Sequence, residues 1–476
     1  MLHVRKTISS SSSILGNNLL SLNKKPYVPK IISEVNQKPT KTQWSPPFPS
    51  HLKPKFKACE EWFNKQKNYT PEWKQNLCKL LSRKSKIPEE HRTPLPTQPN
   101  SLKRKVCRNK LPSEELLLAM KNVAQNTPEW MEYRSGSYGA SGHADIAGWA
   151  EFKTNLDCWN VDSGIECQKT PKNYFKDLFP CDHGHYREDE AGDVYSYIMG
   201  AKSKVTGMYL DKLAPWMHCS PDLDVEYPES GTNCHNKYTF CDPLHAIGEI
   251  KNPIRKAYMV TDPVTGEVRP TIPPYYMLQV INQMEIMGTE YCDFISHWRF
   301  NEQQGPIPCI PTNSSSEEGK EEKEGKEKAI RKFKIAETGI LRVYKNEEAA
   351  AQIRKIITEH KAHVERAQQD IDNGIKPYPP PLNDHLDVFG KTTIVPLKRA
   401  VFYTTLEDEH SQDALDPETG DLLGNIDVDI TDYWESKPIS VTLHDLSEKV
   451  PKGTEINNVP SYIRACKEEG GGAVGA

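Results

Sequence analysis

The chain lacks three patterns that would assign it directly to a class of protein. Its 12 Cys residues include no CxxC pair, so a zinc finger and a disulfide framework both lack their signature, and we expect reduced thiols in an intracellular protein. No apolar run approaches the roughly 20 residues that a membrane-spanning helix needs, so no membrane partner is expected. Hydrophobic residues make up 36% of the chain, which is low for a globular protein. We therefore expect a folded core together with unstructured segments.

Charge is distributed unevenly along the chain. Residues 1–110 contain 23 Lys and Arg but 6 Asp and Glu, a charge of +17 in a chain whose net charge is −4. A basic arm on an acidic body is typical of a segment that meets a polyanion, although a solvated tail has the same composition. The first 33 residues contain no acid, which fits a mitochondrial transit peptide and a plain basic tail equally well.

Changes in composition divide the chain into three parts. Residues 1–112 are rich in Pro, Ser and Lys, and we expect a disordered basic arm with one short helical segment within 58–85. Apolar periodicity begins after this arm, so residues 113–375 are predicted to form the folded domain, with a charged low-complexity insert over 302–334. Residues 376–476 are expected to form a C-terminal extension whose role is unknown.

The spacing of apolar residues also predicts individual helices and strands. Two helices are expected, over 274–288 and 346–372. Strands are expected over the following segments: 243–253, 290–300, Ile340–Tyr344, Thr392–Pro396 and Ala400–Thr405.

One pattern in the sequence is typical of an active site: Asp222 is followed by Glu249 and Lys251. Residues two apart in a strand point to the same face, so Glu249 and Lys251 project together while Ile250 faces the other side. Carboxylates from two neighbouring strands form a hard-oxygen site that suits Mg²⁺ or Mn²⁺. Lys251 beside them can hold the attacking water of a phosphodiester hydrolysis.

The position of Glu249 distinguishes this pattern from a chance Glu-x-Lys pair. Surface pairs of this kind are common and usually solvated. Residues 244–250 are mostly apolar, and Pro253 ends the segment, so Glu249 is predicted to lie at the end of a buried strand. Because a buried carboxylate needs a partner, a metal site is a reasonable interpretation.

Short motifs extend this pattern along about half of the chain. They occur in one order, within about 125–300 and 335–375: Thr127–Trp130, Tyr133-Arg134, Gly139–Ser141, Gly184–Glu188, Ala191, Tyr195, Val205–Gly207, Ser220–Asp222, Glu249–Pro253, Ile272-Pro273, Gln279, Gln283, Trp298 and Gly339–Tyr344. Together they resemble the lambda-exonuclease-type, YqaJ-like viral recombinase nucleases of the PD-(D/E)XK superfamily.

This resemblance implies a fold and an activity. The fold would be α/β, with a central mixed sheet flanked by helices and a restriction-endonuclease-like core. The activity would be Mg²⁺-dependent hydrolysis of phosphodiester bonds at duplex DNA ends, in the 5′→3′ direction, during recombination, replication or repair. Family members work with single-strand annealing proteins, and some form rings around DNA. The family occurs in phages, large DNA viruses and cells, so nucleus, viral host cell and mitochondrion stay open as compartments.

The resemblance also implies catalytic roles for five positions. Glu188, Asp222 and Glu249 would bind the metal, with Glu188 projecting from a helix. Lys251 would orient the nucleophilic water. Gln279, from the following helix, would help to position the site.

Three further positions would hold a DNA phosphate, in this family typically the 5′-terminal one. They are Arg134, Ser141 and Ser220, and a guanidinium with two hydroxyls suits that task. Two departures bear on the site. Glu190 lies two residues after Glu188 and is a second candidate for the helix acid. The family has Gly after the Asp of Ser-Pro-Asp, whereas this chain has Leu223, which adopts a positive φ only at a cost.

Two other functions fit the same residues. One is a structure-specific endonuclease with the same active site, which would cut circular as well as linear DNA. The other is a catalytically inactive DNA-binding recombination scaffold, which would bind DNA but no metal ion.

Overall fold

The computed structural model of the chain describes residues 69–81, 86–97, 102–149, 153–226, 246–262, 265–309, 331–380, 392–406, 414–416, 422, 424–433 and 439–441. The first 68 residues of the predicted basic arm and residues 310–330 of the predicted insert lie outside these ranges. The domain boundaries predicted above stay predictions.

Fourteen strands and eight α-helices are assigned within the described residues. The strands are β1 Tyr138–Gly139, β2 Lys202–Val205, β3 Tyr209–Leu210, β4 Met217–Cys219, β5 Leu223–Glu226, β6 Ala246–Lys251, β7 Met259–Thr261, β8 Val268–Pro270, β9 Tyr291–Arg299, β10 Ile307–Pro308, β11 Arg331–Tyr344, β12 Thr392–Leu406, β13 Asn425–Asp432 and β14 Ile439–Val441. The helices are α1 Pro71–Leu80, α2 Glu114–Lys121, α3 Pro128–Ser135, α4 His143–Ile146, α5 Asn155–Ser163, α6 Phe179–Met199, α7 Pro274–Met287 and α8 Glu347–Asp372.

The centre of the fold is a mixed sheet that, among the described residues, contains nine strands. Seven of them lie in the order β13-β12-β11-β9-β6-β5-β2, while β10 pairs with β11 and β14 with β12. The pair β6–β9 is parallel and the other pairs in this sheet are antiparallel. A parallel pair needs a crossover connection, and the chain between β6 and β9 contains α7. Two smaller sheets hold β1-β4-β3 and β7-β8.

Helices cover both faces of the central sheet. Side chains alternate along β6, so Ile250 belongs to a buried cluster with Val194 of α6 on one face, whereas Ile247 belongs to a second cluster with Leu278 of α7 and Ile353 of α8 on the other. Every residue of β9 is buried, as expected for a strand that is covered on both sides. The predicted α/β fold, a mixed sheet flanked by helices, is thus confirmed. None of the helices in the described ranges combines the length and apolar character that crossing a bilayer requires.

Local capping explains where two helices begin. The tetrapeptide Thr-Pro-Glu-Trp occurs at 70–73 and at 127–130, and both copies start a helix. In each copy the Thr side chain accepts a hydrogen bond from the Trp backbone N–H, at 3.1 Å for Thr70 and 3.4 Å for Thr127. Pro occupies the first helical position, where no backbone N–H is needed.

The longer strands differ from the sequence expectation. β11 begins at Arg331, nine residues before the predicted start, so the end of the predicted insert belongs to the sheet. β12 is one strand where two pieces were expected. Pro396, the last residue of the first predicted strand, pairs with Leu341 beside a register shift, and irregularities of this kind are where a strand tolerates Pro. Because β12 and β13 pair with each other and β12 with β11, part of the predicted C-terminal extension extends the central sheet.

A buried ion pair joins α6 to the middle of the sheet. Arg342 of β11 donates to both carboxylate oxygens of Asp293 on β9, at 2.6 and 2.8 Å, and the Tyr195 hydroxyl of α6 donates to Asp293 at 2.8 Å. Arg342 and Asp293 are 0% and 1% exposed. Removing one partner of such a pair leaves a buried charge without compensation.

We therefore predict that Arg342→Met lowers the free energy of unfolding by about 3–5 kcal/mol, as measured by urea denaturation. The matched control is Arg104→Met, which breaks an exposed pair with Asp372 and should cost less than about 1 kcal/mol. Equal, small losses in both variants would contradict a structural role for the buried pair.

Candidate active site

A cleft of about 750 Å³ opens at the end of β6. It brings together all eight residues that the sequence predicted for the site, from a span of nearly 150 positions: Arg134, Ser141, Glu188, Ser220, Asp222, Glu249, Lys251 and Gln279. They come from α3, the 3₁₀ turn Ala140–Gly142, α6, the β4–β5 connection, β6 and α7.

Strand pairing places Asp222 beside Glu249. β5 and β6 are antiparallel with Leu223 opposite Gly248, so Asp222 lies next to the end of β6. Its Oδ2 accepts a hydrogen bond of 2.7 Å from the Ile250 backbone N–H. Among the described non-glycine residues, Asn126 alone has a positive φ, so Leu223 is accommodated as an ordinary strand residue that is 5% exposed. The departure from Gly at this position therefore introduces no backbone strain.

Glu249 is the most enclosed carboxylate of the site. It is 1% exposed, and three groups bind its oxygens. Gln279 Nε2 donates to Oε1 at 2.5 Å, Gln283 Nε2 donates to Oε2 at 2.7 Å, and the Lys251 ammonium pairs with Oε1. The two Gln residues lie four apart on α7 and so share one helix face. A buried carboxylate without such donors would be very costly.

Lys251 is held from two sides. Glu249 binds its ammonium, and the Tyr276 ring lies under it with its centroid 4.9 Å from Nζ. Burial lowers the pKa of Lys251, but Glu249 and Asp222 raise it more, so the net shift is upward. Lys251 is therefore a charged hydrogen-bond donor.

The two candidate acids of α6 face different surroundings. Glu188 lines the cleft. Glu190 is bound by Arg299 at 2.7 Å, His297 at 3.1 Å and Arg187 at 3.2 Å. Burial raises the pKa of Glu190, but these partners lower it more, to about 2. Glu190 thus anchors the helix within the protein, and Glu188 is the one of these two acids that faces the cleft.

Burial and neighbouring carboxylates destabilise the charged forms of two further cleft acids, Asp222 and Glu188. Burial, with added repulsion from Glu249, raises the pKa of Asp222 well above its ordinary value, against the opposing effect of Lys251. Burial also raises the pKa of Glu188 to about 7, with Lys251 opposing and Glu249 and Asp189 adding to the shift. Crowded carboxylates of this kind favour a bound cation.

The donor set fits Mg²⁺ in its usual coordination. Among the residues that the structure describes, no three His, Cys, Asp or Glu side chains are close enough together to form a metal cage. Mg²⁺ normally keeps several waters and binds one or two carboxylates together with substrate phosphate. Asp222 and Glu249 match that pattern, and Glu188 lies in the same cleft without completing a three-carboxylate group.

The phosphate-binding candidates lie around Trp130. The guanidinium carbon of Arg134 lies 4.7 Å from the centroid of the Trp130 ring, and Trp130 Nε1 donates to Ser220 Oγ at 3.2 Å. Within the described ranges no carboxylate pairs with Arg134, and burial is the cause of its lowered pKa. Ser141 is exposed on the cleft wall. A cationic fork and two hydroxyls therefore face the same space.

The comparison with protein families agrees with this geometry. Residues 129–291 match the model of the YqaJ-like viral recombinase domain. This matched segment is about a third of the chain. All eight predicted site residues lie inside the matched segment. No curated protein matches the chain in sequence.

Two solved structures resemble this chain. One is an alkaline exonuclease, LHK-Exo, from Laribacter hongkongensis, with 16% identity and a TM-score of 0.32. The other is LHK-Exo in complex with dAMP, with 16% identity and a TM-score of 0.33. Each match covers 52% of this chain and 97% of the other. These values describe a distant likeness.

The sequence predicted no role for two residues that line the cleft, Gln283 and His218. Gln283 binds Glu249, and its position one helical turn after Gln279 is the signal that identifies it. His218 also lines the cleft. It lies two and four residues before Ser220 and Asp222, a spacing that places all three on one side of an extended chain.

The raised pKa of Glu188 predicts that the free energy of unfolding of the metal-free protein falls as the pH rises. Its folded pKa of about 7 exceeds the ordinary value of 4.5. The stability that it contributes is therefore present below pH 4.5 and lost as the pH rises through 7. Glu188→Gln, which cannot ionise, should raise the free energy of unfolding at pH 8 by on the order of 2 kcal/mol.

The measurement is chemical denaturation in EDTA at pH 8 and at pH 4.5. Glu188→Gln should match the wild type at the lower pH. Glu359→Gln, on the exposed side of α8, is the control and should have no effect at either pH. A Glu188→Gln variant that is equally stable at pH 8 would show that the carboxylate is not crowded.

Proposed function

We propose that this protein is a metal-dependent DNA nuclease that hydrolyses phosphodiester bonds at the ends of duplex DNA, as a 5′→3′ exonuclease. One observation carries the proposal. The cleft has a carboxylate–lysine cluster, Asp222, Glu249 and Lys251, and a phosphate-binding set around Arg134 in the same continuous space. A substrate whose terminal phosphate is bound at one end would present a phosphodiester to the other.

Asp222 and Glu249 are the proposed metal ligands, and Glu188 of α6 adds a third carboxylate to the same cleft. When bound, Mg²⁺ or Mn²⁺ would supply positive charge that stabilises the phosphoryl oxygens. Gln279 and Gln283 fix the orientation of Glu249, since each amide donates to a different carboxylate oxygen. Such outer partners normally tune the affinity of a metal site.

Lys251 would hold the attacking water. Because Glu249 and Asp222 keep its ammonium charged, it donates hydrogen bonds and does not accept the proton of the water. It can therefore orient the nucleophile through an oxygen lone pair, and it adds a positive charge beside the reacting phosphate.

The described end of the basic arm supports DNA binding close to this cleft. Arg108 stacks on Tyr133 of α3, with 4.2 Å between the guanidinium carbon and the ring centroid. α3 also carries Arg134. Lys103 and Lys110 on the same segment are exposed. Exposed Lys residues beside a phosphate site add sequence-independent affinity that falls as salt rises.

The match to a viral recombinase domain supports a role in recombination, replication or repair. A single-strand annealing partner, further copies of this chain and the compartment stay predictions from the family resemblance.

The first test is digestion of linear duplex DNA in Mg²⁺. The wild type should digest the linear duplex and favour 5′-phosphorylated ends, and Lys251→Ala should lower the rate by about 10²-fold or more, because a preorganised donor at the reacting phosphate is lost. Lys345→Ala is the matched control: Lys345 is 22% exposed and paired with Glu285, and Lys251 is 21% exposed and paired with Glu249.

Two controls in this assay distinguish the exonuclease from the endonuclease and from the inactive scaffold. Cleavage of closed circular DNA would identify an endonuclease. DNA binding without digestion in Mg²⁺ or Mn²⁺ would overturn the catalytic assignment and favour a scaffold.

Metal binding can be tested without DNA. In titration calorimetry with Mn²⁺, Asp222→Asn should abolish binding, because it removes a charged ligand. Gln283→Leu should weaken binding about 10- to 100-fold, since it frees one oxygen of Glu249 from its partner. Unchanged affinity in Asp222→Asn would place the metal elsewhere.

A further inference from the structure

His218 is a buried polar side chain that faces the phosphate end of the cleft and has no role in the chemistry described above. It is 2% exposed, yet it lines the cleft together with Arg134, Ser141 and Ser220. A nearly buried imidazole whose edge faces a cavity is suited to bind what enters that cavity.

The backbone around His218 is arranged to let its ring reach the cleft. β1 and β4 are parallel, with Gly139 opposite His218. A Cβ on Gly139 would lie 2.9 Å from His218 Nε2, so the imidazole lies directly over this glycine. Ser141 follows two residues later in the cleft wall. Glycine at position 139 is therefore what allows Nε2 to lie beside the proposed phosphate-binding residues.

The other nitrogen of the ring is fixed by Ser137. The Ser137 hydroxyl lies 2.8 Å from His218 Nδ1 and 3.0 Å from the Tyr133 carbonyl oxygen. Ser137 has one hydrogen, and the Tyr133 carbonyl oxygen can only accept it. The Ser137 oxygen therefore accepts from Nδ1–H, and Nε2 becomes a donor that points into the cleft when the ring takes up a proton beside an anion.

The charges around His218 favour a neutral ring in the free protein. Burial lowers its pKa well below the ordinary value, and the positive charges of Arg134 and Lys105, together with His143, lower it further. The same positive charges attract an anion. A ligand with several acceptor oxygens would satisfy Arg134 and His218 together.

From this placement we infer that His218 is a specificity-determining residue, whose Nε2–H donates to the terminal phosphate of a DNA end held by Arg134, Ser141 and Ser220. The inference rests on the proposed function, because it takes DNA ends as the ligand. It adds recognition of the phosphate monoester as opposed to a terminal hydroxyl, which has no charged oxygens to accept this hydrogen bond.

The test is equilibrium binding of a short duplex with either a 5′-phosphate or a 5′-hydroxyl, followed by fluorescence anisotropy in EDTA so that no cleavage occurs. The full chain is used as wild type, His218→Leu and His218→Gln. We expect the wild type to prefer the phosphorylated duplex. His218→Leu should weaken that binding about tenfold, the usual scale for a hydrogen bond to a charged group, and leave binding of the hydroxyl duplex unchanged. His218→Gln, which keeps an amide donor, should retain part of the preference.

A second variant guards against a folding defect. Gly139→Ala places a methyl group against Nε2, so it should move the ring and reduce the same preference without altering His218 itself. Equal losses on both duplexes, or an unchanged preference in His218→Leu, would overturn the inference in favour of a packing role.

The outcome is separable from that of the proposed function. A wild type that binds both ends equally overturns the inference even if it digests DNA. A wild type that prefers the phosphorylated end but digests nothing in Mg²⁺ or Mn²⁺ supports His218 and overturns the nuclease.

Discussion

The constraint on which the site depends is the burial of the Glu249 carboxylate at the end of β6. A carboxylate that is 1% exposed cannot persist without donors, and α7 and Lys251 supply them. The crossover between the parallel strands β6 and β9 brings α7 over this strand end. Sheet topology and site chemistry are therefore linked, because the helix that closes the crossover also carries the two amides that hold the acid.

A similar constraint applies to α6, because this helix places Glu188 in the cleft and buries Glu190 in the protein. Glu190 is fixed by Arg299 and His297, and Tyr195 is fixed by Asp293. These buried contacts lie on the sheet-facing side of the helix and leave Glu188 to the cleft. The helix can therefore hold the Glu188 carboxylate, whose pKa is raised, near Glu249. The buried contacts of Glu190 and Tyr195 outweigh the repulsion between the Glu188 and Glu249 carboxylates.

Much of this arrangement could be predicted from the sequence where a local rule decides the structure. The alternation of Glu249, Ile250 and Lys251 fixed their faces, and the apolar run before them indicated a buried strand. Such rules failed where distant pairing decided the outcome. Two strands were expected, the first of them ending at Pro396, but β12 continues past the proline beside a register shift in its pairing with β11. The choice between Glu188 and Glu190 stayed open, because residues two apart lie on nearly opposite sides of a helix, and only the positions of Arg299 and His297 show which side is buried.

By itself the sequence predicted the α/β class, the acids and lysine of the proposed site and the candidate phosphate-binding residues, because residue type, period and motif order are local properties of the chain. Only the tertiary structure decided that these eight residues share one cleft, that Gln283 holds Glu249, and that His218 lies over Gly139. Each of these depends on contacts between segments far apart in the chain, and no periodicity within one segment encodes which partner will face it.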